Sequence, residues 1–354
     1  MIFKHRKHDP SNDTAMLEAE PIDPVLELQY MFEDGDELVY TAMRESMSAL
    51  YHSVSTRDAN IVMEGLKDLA KSAWQFFKDV ASKIWNFIKN SFDYITSFFQ
   101  DFEKFIESHK DNIFKFKEFD VQGFAYDIKK TEVDNCGIRK IIDNYNTQVS
   151  KLKDGDLSDV QKYISKEYNK DTMNEIRGKV SGAGKSIKAD NFKTELEKMY
   201  RGGKPKATIT VNASKLNEMI NTWKQYKDII KEVKEDGNSV QSFFDDASDF
   251  FRSMPNYEYD TNNEKKINKY RIGHDKDGFT KDDSGSDEYN SDLYKRQTAL
   301  YNFCFKMTRD IGSIYTVAYT TKVAMLKEAM GFYKGVIRRA LSPFADTKKD
   351  GDKK

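Results

Sequence analysis

No proline falls between Val25 and Lys204, and inside that span the apolar residues keep the period of one helix face for about 40 residues. From Leu66 the line runs through Leu69, Ala73, Phe76, Val80, Ile84, Phe87, Ser91, Ile95, Phe98, Phe102 and Phe105, always by steps of three or four. Such steps return a side chain to the same side of a helix that turns every ~3.6 residues. No glycine interrupts between Gly65 and Gly123. At about 1.5 Å per residue the helix spans roughly 60 Å, well beyond the ordinary globular length. A chain built around it folds as a rod or a bundle of rods.

Beside the first stripe lies a second, made of Trp74, Phe77, Trp85, Ile88, Phe92 and Phe99. The polar side carries Lys71, Gln75, Lys78, Ser82, Asn86, Lys89, Asp93, Ser97, Gln100 and Lys104. Two apolar faces and one polar face predict a helix packed by neighbours on two sides. Trp74, Phe77, Val80, Ile84, Trp85, Phe92 and Phe99 are therefore the expected core and interaction set. The competing reading is a membrane-active helix, given its aromatics and lysines. Lysines spaced regularly along a helix with two apolar faces suit a bundle better.

A second long helix is expected over 291–341. There Leu300, Cys304, Met307, Ile311, Ile314, Ala318, Thr321 and Met325 step alternately by four and three. That is a heptad seam, with Leu300, Met307, Ile311 and Ile314 at its heart. Its expected partner is the 66–106 helix or a second copy of itself.

The fold class is accordingly mainly α: an elongated long-helix bundle with a small β element. Residues 1–24, with Pro10, Pro21 and Pro24, form a flexible arm. Residues 25–112 are the N-terminal helical region: Leu38, Met43, Met47 and Leu50 have helical spacing, and Thr56 or Asp58 caps the long helix. Residues 113–213 form a small α+β region. Its strands, near 114–128 and 206–212, are predicted to pair, since neither is stable alone. Short helices near 136–151, 157–166 and 190–200 lie between them. Residues 214–254 are helical, read as two helices, Ser214–Lys234 and Ser239–Arg252. Residues 255–290 are too polar to fold alone and read as a mobile loop. The 291–342 helix and a charged tail, 343–354, complete the chain.

Overall charge points to no polyanionic partner, although local patches such as the basic segment Lys179–Lys206 remain. With 57 basic and 58 acidic side chains, the net charge of −1 gives no overall pull toward nucleic acid or anionic membrane. The two cysteines, Cys136 and Cys304, make no zinc spacing and are expected as reduced, packed thiols. Met1–His8 is charged with no apolar run after it, unlike a secretory signal, and the uncharged stretch Ile311–Thr321 is too short to cross a bilayer. The expectation is a soluble protein.

Three motifs invite chemistry and fail. Gly182-Ala-Gly-Lys-Ser186 looks like a phosphate loop, but the required earlier glycine would fall at Lys179, and no strand precedes it. A flexible basic linker is the reading that remains. Asp275–Asp283 resembles a calcium loop, yet its fifth and sixth positions are Phe279 and Thr280. Among the histidines only His5 and His8 have ligand spacing, and they sit in the arm. No catalytic residue, cofactor or metal is assigned.

The order of segments carries a resemblance. Leu17-Glu-Ala-Glu20 precedes Ala42-Met-Arg-Glu-Ser-Met-Ser-Ala-Leu-Tyr51. The Trp/Phe helix follows, with Lys71-Ser-Ala-Trp-Gln-Phe-Phe-Lys78 and Ile84-Trp-Asn-Phe-Ile88. Then come Val121-Gln-Gly-Phe-Ala-Tyr126, Phe192-Lys-Thr-Glu-Leu-Glu-Lys-Met-Tyr-Arg-Gly202, Thr208-Ile-Thr-Val211 and the long C-terminal helix. This texture, over residues 17–341, resembles uncharacterised virion structural proteins of large tailed bacteriophages. The resemblance implies a non-enzymatic particle component, such as one carried inside the head, with other virion proteins or copies of itself as partners. It also implies maturation cleavage of the arm near Glu20. The first alternative is a membrane-active or ejected internal virion protein. The second is an enzyme whose site assembles only in space.

Overall fold

The computed structural model describes residues 59–342, apart from 114, 134–135, 152–156, 168 and 259–283. Residues 59–70, 112, 136, 150–151, 157, 254–258, 284–295 and 297–298 are described by their backbone alone. The N-terminal arm, the cap at Thr56 or Asp58, the Asp275–Asp283 segment and the charged tail lie outside the described residues.

In chain order the elements are α1 (Ala59–His109), β1 (Phe119–Gly123), α2 (Cys136–Lys151), α3 (Leu157–Glu167), α4 (Lys170–Val180), α5 (Phe192–Tyr200), β2 (Ala207–Val211), α6 (Ala213–Glu258) and α7 (Ser284–Leu341). Short 3-10 turns follow α1 and precede α5. The molecule is mainly α with one small sheet.

α1 is a single helix of 51 residues, about 76 Å long. All ten residues of its predicted polar side are exposed. Ala73, Phe76, Val80, Ile84, Phe87, Ile95 and Phe102 of the first stripe are buried. α1 therefore obeys its own amphipathic pattern.

α6 begins at Asn212, whose side-chain oxygen accepts the Lys215 N–H at 2.9 Å. This satisfies one of the amides a helix start leaves orphaned. The two helices expected over Ser214–Lys234 and Ser239–Arg252 are one, which continues through Asp236-Gly237-Asn238. A mid-helix glycine costs about 1 kcal/mol against alanine. Burial of Val233 before it and Val240, Phe243 and Phe244 after it outweighs that cost. The glycine is also needed there: a Cβ on Gly237 would stand 2.7 Å from the Tyr319 hydroxyl and 2.9 Å from Ile88. Three helices cross at this residue.

Ring and side-chain pairs fix the directions. Phe77 meets Phe251 and Phe99 meets Trp223, so α6 runs antiparallel to α1. Phe251 meets Tyr301, Phe243 meets Tyr315 and Tyr226 meets Tyr333, so α7 is antiparallel to α6 and parallel to α1. The result is an up-down-up bundle of three long helices, the ridge packing of ordinary helical proteins drawn out in length.

α7 lies against α1 as expected, through Phe76–Phe305 and Phe87–Tyr319, but this is not its main seat: both helices rest chiefly on α6, and α7 touches every other described helix. The seam residues Leu300, Cys304, Met307, Ile311, Ile314, Ala318, Thr321 and Met325 are all buried. So are Tyr301, Phe303, Phe305, Tyr315, Tyr319 and Leu326 on its other sides. A seam buries one stripe, whereas a helix buried all round is the core. The short helices α2–α5 cover the side of α7 that α1 and α6 leave open.

Two other boundaries move. Residues 255–258 complete α6 and 284–290 begin α7, so only 259–283 remain of the expected loop, and these lie outside the described residues. α4 was not foreseen; its apolar residues are too sparse to announce a period. The strands pair antiparallel from Phe119↔Val211 to Gly123↔Ala207. Only five residues of the 114–128 stretch join the ladder, because β2 supplies only five partners.

Candidate interaction surface

The predicted α1 set divides in two. Phe77, Val80, Ile84 and Phe99 are buried, each no more than 5% exposed. Trp74 and Phe92 are half-buried at the rim of the core. Trp85 is 45% exposed and not a core residue, a correction to the expected set. Its position on the helix, one turn from Ile88 and beside Lys89, places it past the edge of the α6 contact. Tyr94, on the opposite edge of α1, is 57% exposed and was not singled out from sequence.

Cations from neighbouring helices close over the half-open rings. Lys234 of α6 lies 4.8 Å from the Phe92 centroid. Lys327 and Lys334 of α7 lie 5.2 Å from Tyr94 and 3.8 Å from Phe98. Lys78 covers Trp74 at 5.1 Å from within α1. Each such contact is worth about 0.5–1 kcal/mol at an exposed site, and the lysine stems cover apolar surface as well. The edges of α1 are thus amphipathic strips of aromatic rings and ammonium groups.

Inside the bundle sits a polar node that sequence reasoning missed. Lys322 of α7 is wholly buried and donates to Asp236 of α6 at 2.5 Å. The same carboxylate oxygen accepts the backbone N–H of Thr131 at 3.3 Å. The Thr131 hydroxyl in turn lies 3.3 Å from the Tyr200 hydroxyl at the end of α5. One charge pair therefore joins the long helices to the segment after β1 and to α5. A buried pair contributes little net stability but severely penalises any arrangement that separates it. Its role is to fix register. The available signal was a lone lysine, Lys322, directly after the uncharged stretch Ile311–Thr321.

A second, more exposed clamp holds α5 on α7. Arg201 donates to both carboxylate oxygens of Glu328, at 3.1 and 2.7 Å, and Tyr126 donates to the same group at 2.9 Å. The arginine's hydrogen bonds hold the Glu328 carboxyl below its ordinary range. Asp310 behaves oppositely: it accepts from Arg309, yet burial pushes it up to about 6.

The loop after α4 is no phosphate cradle and no flexible linker. Gly182 and Gly184 have φ of 64° and 66°. The Gly182 N–H donates to the Lys179 carbonyl at 2.9 Å and the Ala183 N–H to the Gly178 carbonyl at 3.1 Å. This is a helix C-terminal cap in which those amides are already used. Cys304 is a free, buried thiol, and burial raises its pKa. The Cys136 side chain, His5, His8, His52 and His274 lie outside the described residues. His109 stacks on Phe105 and bonds its carbonyl at 2.9 Å. Among the described residues no cluster of His, Cys, Asp and Glu is placed to hold a metal.

No family model, curated protein or solved structure matches this chain. Its chemistry must therefore be read from the surface just described. Along its edges α1 presents aromatic rings beside lysine ammonium groups. Among the described residues, no helix is long and apolar enough to cross a membrane.

Proposed function

We propose that this chain is a non-enzymatic structural component of a bacteriophage virion, acting by association of its helical faces with other virion proteins or with copies of itself. The observation that carries the reading is the bundle of three long helices, whose buried charges and rings serve internal register while the exposed aromatics Trp85 and Tyr94 line one helix. Such an object transmits position over several tens of ångströms and offers a long strip for contact. Assignment to a particle is supported by the resemblance of segment order to virion proteins of large tailed phages.

Mass spectrometry of purified particles of a phage encoding this chain tests the reading. Peptides from α1, α6 and α7 are expected at the level of other structural proteins. Their absence from particles, with the chain present in infected-cell lysate, overturns it. The same spectra report the arm: a first peptide starting near residue 21 supports cleavage near Glu20, and an intact Met1 refutes it.

The exposure of Trp85 and Tyr94 beside lysines favours a second reading, an internal protein that meets lipid on ejection. Flotation with anionic liposomes decides it. No binding at any pH removes this alternative.

A further inference from the structure

One lobe of the molecule gathers positive charge that nothing inside the protein neutralises. Residues 179–206 hold eight basic side chains against three acids, in a chain whose net charge is −1. They form the loop after α4, the 3-10 turn, α5 and the approach to β2. The inner side of this lobe buries Val180, Ile187, Phe192, Leu196 and Tyr200, and α4 and α5 both pack on α7. Lys179, Lys185, Lys188, Lys193, Lys198, Lys204 and Lys206 are all exposed. Among the described residues none of these ammonium groups is held by an acid or a ring. The acids of the lobe are engaged elsewhere: Glu197 lies 3.7 Å from Arg201, and Asp190 acts on Arg177.

The backbone holds these lysines in place. The Ile187 N–H donates to the Asn174 carbonyl at 3.0 Å, and a Cβ on Gly178 would strike the Lys185 carbonyl, so the loop is folded back on α4. At the far end of α5 the Gly203 N–H donates to the Lys198 carbonyl at 2.8 Å and closes the helix. α5 has nine residues and rises only about 13 Å. With the inner side packed, the lysines share the outer side of a small, ordered lobe.

We propose that this lobe binds the sugar-phosphate backbone of duplex nucleic acid without reading its sequence. No aromatic or branched aliphatic side chain within 179–206 is exposed. A lipid surface, a protein hot spot and a stacked base each require such an anchor. Phosphates do not: a duplex carries one charge per ~1.7 Å of axis, and lysines displace its counterions. Beyond about 10 Å at 0.1 M salt the field is screened, so an overall charge near zero does not oppose a local contact. The inference goes beyond the virion reading and stands whether or not the chain belongs to a particle.

Fluorescence anisotropy of a labelled 20-base-pair duplex of arbitrary sequence, titrated with the full chain, tests it. Engagement of about five phosphates makes the affinity fall about 500-fold between 50 and 200 mM salt. The joint variant Lys185→Gln, Lys188→Gln, Lys193→Gln and Lys198→Gln is expected to weaken binding at 50 mM salt more than about ten-fold and to flatten the salt dependence. Lys188→Gln alone lowers the log–log slope by about 1. Lys71→Gln with Lys89→Gln, on the exposed face of α1, leaves binding unchanged. Absence of binding at 50 mM salt, binding indifferent to salt, or an equal loss in the α1 variant overturns the proposal. Flotation with phosphatidylserine vesicles in the absence of duplex binding assigns the lobe to a lipid surface and overturns it as well.

Discussion

α1 and α7 look alike as stripes and behave differently as helices. Both show apolar residues stepping by three and four over many turns. α1 keeps a wholly exposed polar side, whereas α7 is buried on nearly every side from Leu300 to Met330. The difference lies in the residues between the stripes. In α1 they are Lys, Gln, Ser, Asn and Asp; in α7 they are Tyr, Phe and Thr. Threonine is polar by inventory yet tolerates burial here. Thr316 returns its hydroxyl to the Gly312 carbonyl at 2.9 Å and Thr320 to the Thr316 carbonyl at 2.8 Å, so neither needs an outside partner. Lys322 receives Asp236. A run of four-three steps therefore marks a seam only when the intervening positions prefer water.

The sharpest way to break this contrast is to remove the partner of the buried lysine. Asp236→Ala leaves the enclosed Lys322 without its carboxylate, and is expected to cost about 3–5 kcal/mol in denaturant unfolding. Joint replacement by Asp236→Leu and Lys322→Met recovers most of that loss, because similar apolar volume then fills the space. A loss under about 1 kcal/mol from the single change would mean that α7 is not the enclosed helix described.

The crossing at Gly237 comes next. Gly237→Ala gains about 1 kcal/mol in helix propensity but forces a methyl group against Tyr319 and Ile88. Overpacking of this kind costs about 1–3 kcal/mol, so the net change is a fall in melting temperature. A rise instead would show α1, α6 and α7 to be less tightly crossed.

A pH comparison sharpens the picture of α7. Asp310 has a folded pKa of about 6, above its unfolded value near 3.9. The folded state therefore prefers the protonated acid. Wild type carries a penalty above pH 6 that is relieved as pH falls from 6 toward 4. Relative to Asp310→Asn, which does not titrate there, wild type should gain on the order of 1 kcal/mol between pH 7 and pH 5. Melting curves of both chains at the two pH values provide the check, and a constant difference refutes the burial of this carboxyl.

The smallest effect belongs to the outer side of α1. Asn86→Ala, on the exposed polar face, should change stability by less than about 0.5 kcal/mol. A loss as large as that of Asp236→Ala would mean that this face is covered, and the two helices would no longer differ in kind.

Much of the architecture was legible in the residues because it rests on local periodicity. The continuous α1, its polar side and the three short helices at 136–151, 157–166 and 190–200 correspond to α1, α2, α3 and α5. The helix break expected near Gly237 failed because local propensity is weak beside packing on two neighbours. Trp85 failed as a core residue for a related reason. An edge position on a helix is buried or open according to where the partner's surface ends, and no spacing rule contains that. The Asp236–Lys322 pair brings together residues 86 positions apart in sequence, so only one end of it left a trace.

The sequence by itself determined that this chain is built from long helices, since hydrophobic period is a one-dimensional property set residue by residue. It also determined which side of α1 faces water. The tertiary structure alone decided which long helix is central, in which directions the three run, and where the buried charge finds its partner. Those are properties of surfaces meeting across the bundle, where burial free energy is summed over contacts that no local stretch of sequence contains.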